Sequence, residues 1–99
     1  MKNYYQILGI ERGEEDYDII RGAYRDRLMQ LRLDINTDEI TRNKFEELQE
    51  AWGIMKDSWR RSNYRSRLLD YEFISAIRDL TKEMNRVIDD TLEMVVGKK

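Results

Sequence analysis

The chain of 99 residues contains no cysteine, no histidine and no proline. Without cysteine there is no disulfide, no thiol nucleophile and no sulfur ligand for a metal. Without histidine there is no imidazole to act as a general base near neutral pH. Paired carboxylates remain, but they lie among basic neighbours at helical spacing, where a solvated helix face accounts for them. The residues therefore point away from an enzyme and call for no cofactor and no metal. The absence of proline, the strongest helix breaker, permits long helices throughout. Five glycines are present, and only Gly9 and Gly13 stand close together, marking an early loop.

No run approaches the roughly 20 apolar residues of a membrane span. The opening MKNYYQILGI lacks the apolar stretch and small-residue cleavage site of a secretion signal. The expected location is a reducing, cytoplasmic compartment. Charged residues make up 38% of the chain and hydrophobic ones 40%, with a formal net charge of −2. That balance suits amphipathic helices around one small core and gives no general drive toward nucleic acid or anionic lipid.

The hydrophobic pattern predicts helices throughout. Asn3 caps a short helix over Tyr4 to Leu8, which Gly9 ends. A second helix starts near Glu14 to Asp16, with a stripe of Ile20, Tyr24, Leu28 and Leu31. Its other faces carry Arg21, Arg25, Arg27 and Arg32, which read as a solvated surface or as a docking face for an acidic partner. A loop over Leu33 to Thr37 follows, and Thr37 or Asp38 caps a third helix bearing Ile40, Phe45, Leu48, Ala51, Trp52 and Met55. The second and third helices are expected to form an antiparallel hairpin.

Asp57 and Ser58 form the next break, with Ser58 as the cap of a fourth helix. Arg60, Arg61, Arg65 and Arg67 surround Trp59 and Tyr64 there. Basic residues interleaved with aromatics bind single-stranded nucleic acid in some proteins. Here the excess of positive charge is local and small, so an inward Tyr64 with solvated or acid-paired arginines is the preferred reading. From Leu68 to Val96 the pattern is a long amphipathic helix with Phe73, Ile77, Leu80, Met84 and Val87 at 4-3-4-3 spacing. Ile74 and Ile88 widen this stripe, Leu92 and Val95 extend it, and Gly97, Lys98 and Lys99 close the helix. The spacing is compatible with a coiled coil. Such a helix would be about 43 Å long, against about 28 Å for a globule of the preceding 66 residues. The domains expected are 1–66 and 67–99. The second is a helix that packs on the first over its initial turns and offers the rest for oligomerisation, a homodimer being the simplest case.

Three blocks carry a family resemblance. NYYQILGI resembles the opening of J-domains, DYYxILGV. IIRGAYRDRL is similar to their second helix, an isoleucine followed by a basic pair and Ala-Tyr. KFEELQEAWGIMKDSWRRSNYR is similar to KFxEIxEAYxVLSDxxKRxxYD, with Lys44, Phe45, Leu48, Glu50, Ala51, Trp52, Asp57, Ser58, Arg61 and Tyr64 at matching positions. The resemblance spans roughly residues 3 to 66 and implies an all-α, J-domain-like hairpin with short flanking helices. Its implied core is Tyr5, Leu8, Ile10, Ile20, Ala23, Tyr24, Leu28, Leu31, Phe45, Leu48, Ala51, Trp52 and Met55.

The resemblance also implies a function and a departure from it. In active J-domains a His-Pro-Asp loop and a basic face on the second helix trigger ATP hydrolysis by Hsp70. The tripeptide falls here on Arg32, Leu33 and Asp34, so only the aspartate matches. Leucine in place of proline frees the backbone angle that shapes the loop. Arg21 and Arg25 match basic positions of the face, whereas Gly22 and Asp26 replace basic residues and Arg27 replaces a core leucine. The expected role is a J-like interaction module without ATPase-stimulating activity, a regulator or adaptor whose partner is a J-protein, an Hsp70 or an unrelated complex. The alternative is a divergent but active co-chaperone.

Overall fold

A computed structural model describes residues 1–33 and 38–96, apart from the side chains of Leu33, Val95 and Val96. The described chain is all-α, with helices α1 (Tyr4–Leu8), α2 (Tyr17–Leu33), α3 (Glu39–Met55) and α4 (Ser58–Val96) and no strand. It divides into two units, Met1–Leu68 and Leu69–Lys99, and the division falls inside α4.

Each helix of the first unit begins on a side chain that satisfies orphan amides. Asn3 accepts from the Gln6 amide at 3.2 Å, and Asp38 from that of Thr41 at 2.8 Å. Asp16 accepts from the Asp18 amide at 3.0 Å, so α2 begins just after the acidic run. At α4 the cap is Asp57, which accepts from the Arg60 amide at 2.9 Å, and Ser58 is already the first helical residue. Aspartate reaches the third amide with a full negative charge at the helix's positive end, which a serine one position later cannot do. The same bonds hold the Asp38 and Asp57 carboxyls below the usual range. α1 ends on Gly9 in the left-handed region, φ 73°.

α2 and α3 pack antiparallel. Tyr24, midway along α2, stacks on Trp52 near the end of α3, with centroids 4.7 Å apart and an interplanar angle of 0°. Tyr17, the exposed first residue of α2, meets the same indole at 6.1 Å. At the other end Gln30 and Leu31 share a groove with Lys44 and Leu48. The core holds Tyr5, Leu8, Ile20, Leu48, Ala51, Met55, Tyr64 and Leu68, with Ile10, Tyr24, Leu28, Leu31 and Trp52 partly buried around it.

One expectation about this core needs correction. Phe45 is 38% exposed, because it lies about 60° around α3 from Leu48, at the edge of the buried arc. Ile40, in the first turn of α3, is exposed as well. Trp52 packs against the core, its face covered by Tyr24.

The second unit is helix alone. Within it the Thr81 and Thr91 hydroxyls donate to the carbonyls of Ile77 (2.9 Å) and Val87 (2.8 Å), and Arg86 pairs with Glu83. Phe73, Ile74, Ile77, Leu80, Met84, Val87, Ile88 and Leu92 are exposed. The closing residues Gly97, Lys98 and Lys99 lie outside the described residues. Among the described residues no helix is long and apolar enough to cross a membrane.

Candidate protein-docking site on α2

α2 presents its arginines as a stripe. At 100° per residue, Arg21, Arg25 and Arg32 fall within about 40° of one another. All three are exposed, and none makes an ion pair among the described residues. The stripe lies roughly 100° round the helix from Ile20, so the burial that fixes α2 on α3 also fixes where these charges point. Arg32 sits in the last turn of α2, at the negative end of the helix dipole. Leu33 is the last helical residue, its side chain undescribed, and Asp34 lies outside the described residues. The helix therefore carries on through two of the three positions expected to form the loop.

The flanks of the stripe explain two oddities of the sequence. A Cβ added at Gly22 would meet nothing within 4 Å, so the glycine makes no room for a neighbouring helix. Arg27 is exposed and lies over the end of α1, so close that a Cβ on Gly9 would fall 2.5 Å from its guanidinium Nη2. Its cation thus stands by the terminal carbonyls of α1, a favourable place for positive charge. Leu28 takes the packing role against the core, as its position beside Arg27 suggested.

Two of the four arginines around Tyr64 are committed to structure. Arg61 donates to the carbonyls of Met55 (2.8 Å) and Glu15 (3.3 Å), tying the end of α3 and the approach to α2 onto α4. Arg65 pairs with Glu15 at 3.2 Å. Tyr64 packs inward at 6% exposure, its hydroxyl donating to the Lys2 carbonyl (2.7 Å) and accepting from the Tyr4 amide (2.9 Å). Its ring lies 4.6 Å from that of Tyr4. These contacts support the structural reading of this segment over nucleic-acid binding.

Beside Tyr64 is a cluster that periodicity could not reveal. Glu50 accepts from Lys2 Nζ and from the Tyr4 hydroxyl, each at 2.8 Å. The Lys2 bond, then the Tyr4 bond, hold the Glu50 carboxyl below its usual range. Burial, then the bond to Glu50, push the Tyr4 hydroxyl up to about 12. Lys2 and Tyr4 stand two residues apart near the start of the chain and Glu50 on α3, so only the folded geometry brings the acid to the other two. Among the described residues no group of acidic side chains could hold a metal ion.

A family model, the DnaJ domain, matches residues 3–65. The chain belongs to the DnaJ-domain family. It is similar to chaperone protein DnaJ 1 of Aquifex aeolicus (31% identical over 99 residues) and to chaperone protein DnaJ of Hydrogenobacter thermophilus (35% over 95 residues) and of Dictyoglomus thermophilum (38% over 63 residues). The alignments cover 100%, 96% and 64% of this chain but 27%, 25% and 16% of those relatives. The chain thus spans about a quarter of their length or less.

Proposed function

We propose that this J-domain docks a protein of the Hsp70 system through the α2 stripe without stimulating ATP hydrolysis, as a regulator or adaptor. The observation that supports the reading is a division within one helix. Arg21, Arg25 and Arg32 form an exposed cationic row, without an ion pair among the described residues, on an intact J-domain core. At the trigger positions the same helix continues as Arg32-Leu33. A stripe of like charge attracts an acidic surface and sets orientation. Triggering asks for more: a proline-shaped loop holding an imidazole, and an arginine-leucine pair supplies neither the fixed backbone angle nor a group that titrates near neutrality.

The test compares capture of host proteins by the tagged full chain and by its Arg21→Glu/Arg25→Glu variant. An Hsp70 or a J-protein should be recovered with the unmodified chain, and charge reversal should lower that recovery by about tenfold or more. Equal recovery by both chains would show that the stripe is not the docking surface. The divergent, active co-chaperone remains the second reading. It is favoured by Asp34, which keeps the family's residue at the third trigger position.

A further inference from the structure

From Phe73 to Met94, α4 carries an apolar face over about 160° of its circumference at 100° per residue, interrupted by Thr81 near one edge and Thr91 along its middle. Phe73, Ile77, Leu80, Met84 and Val87 run along the middle of this face and are 47–66% exposed. Their 4-3-4-3 spacing is the a/d pattern of a helix made to pack along another helix. The area suffices: stable interfaces take roughly 800 Å² from each partner. The exposed large apolar side chains of this face, at on the order of 100 Å² apiece, reach that figure.

The charges beside the face say what covers it. Glu72, Asp79, Glu83 and Asp90 line one edge, with Arg86 behind them paired to Glu83. The opposite edge carries Arg78 and Asn85, while Lys82 and Asp89 lie on the far side of the helix, away from the face. Two such helices side by side in parallel turn the acidic edge of each toward the edge of the other that carries Arg78 and Asn85. Run antiparallel, they set acidic row against acidic row. Edge charges of this kind choose orientation in helical pairs. A second copy of the chain therefore offers an apolar face of the same width, enough area and, in the parallel orientation alone, an edge that keeps the two acidic rows apart.

We propose that this face of α4 packs against the same face of a second copy of the chain, parallel and in register. The inference stands independently of the α2 reading, since it uses no residue of that stripe.

Because the chain has no cysteine, single engineered thiols report the pairing cleanly. In a parallel pair the two copies of residue 94 face each other, within reach of a disulfide. In an antiparallel pair centred on the same face they are about 30 Å apart. Full-length Met94→Cys in a glutathione redox buffer should form a covalent dimer at least about tenfold faster than the outward-facing Glu93→Cys control. By sedimentation, the unmodified chain at about 100 µM should show at least twice the single-chain mass. Leu80→Asp should return it to one chain with the tryptophan emission of Trp52 unchanged. A single-chain mass for the unmodified protein, equal cross-linking at 93 and 94, or no cross-link at 94 would each overturn the proposal.

Discussion

The two units of the chain carry apolar stripes of the same kind and do opposite things with them. In Met1–Leu68 the stripe residues Leu8, Ile20, Leu48 and Met55 are buried, and polar groups far apart in sequence close over them. Tyr64 reaches Lys2 and Tyr4, Arg61 reaches Met55 and Glu15, and Glu50 gathers Lys2 and Tyr4. In Leu69–Lys99 the stripe from Phe73 to Leu92 is exposed, and Thr81, Thr91 and Arg86 bond within their own helix, three or four residues away. A helical period tells which side of a helix is apolar. It does not tell whether the cover comes from the same chain; the exposure of each stripe does.

The sharpest way to break this comparison is a pair of truncations of one chemistry. Leu8→Ala should destabilise the folded chain by about 3 kcal/mol, within the range for a filled core site. Leu80→Ala should leave the denaturation midpoint of the first unit, followed by Trp52 and Trp59 emission, within about 0.5 kcal/mol at concentrations where the chain is monomeric. Equal losses would mean that both stripes serve one core.

A second pair of variants sharpens the account of the first unit's polar ties. Tyr64→Phe removes both bonds of the bridging hydroxyl and should cost about 1–2 kcal/mol. Tyr5 is 2% exposed and its hydroxyl is buried without a hydrogen-bond partner among the described residues. Tyr5→Phe should therefore be neutral or stabilise slightly, by less than about 1 kcal/mol, in the same urea titration. Gly22→Ala should stabilise by about 1 kcal/mol, since helix propensity improves and the added methyl meets open space. A destabilised Gly22→Ala would reveal a contact at that face.

The smallest effects are those of pH. Glu50, Asp38 and Asp57 have carboxyls held below their ordinary range. The folded chain then binds fewer protons than the unfolded one, so their contribution is present above about pH 4.5 and is lost as pH falls through the folded values. Glu50→Gln should flatten that acid limb. Tyr4 has the opposite sign: raised to about 12, it contributes fully below about pH 10 and loses its contribution as pH rises through its folded value. Thermal melts across both limbs check both directions.

Much of the fold was legible in the sequence because local signals agreed with one another. Asn3, Gly9 and Asp38 cap where their chemistry says they should, and the motif blocks place α1, α2 and α3 in order. Two boundaries were not legible. Asp57 and Ser58 are both good caps, and only the hydrogen bond to the Arg60 amide distinguishes them. The change of pattern near Leu68 marks a change of surroundings, not a break, and α4 runs through it as one helix. At the docking site, the stripe of Arg21, Arg25 and Arg32 follows from spacing alone, whereas Arg27 over Gly9 and the Glu50 cluster depend on how helices cross. No period in a sequence records that.

The central claim is that an intact J-domain core here carries docking charge without the trigger. Single-turnover ATP hydrolysis by the host Hsp70, measured with rising amounts of the unmodified chain, tests it most directly. The account predicts a rate that stays at the basal value up to saturating chain. It also predicts that Arg32→His/Leu33→Pro does not restore full stimulation, because Gly22 and Asp26 still thin the cationic face. Stimulation of about tenfold or more by the unmodified chain would contradict it and identify an active co-chaperone.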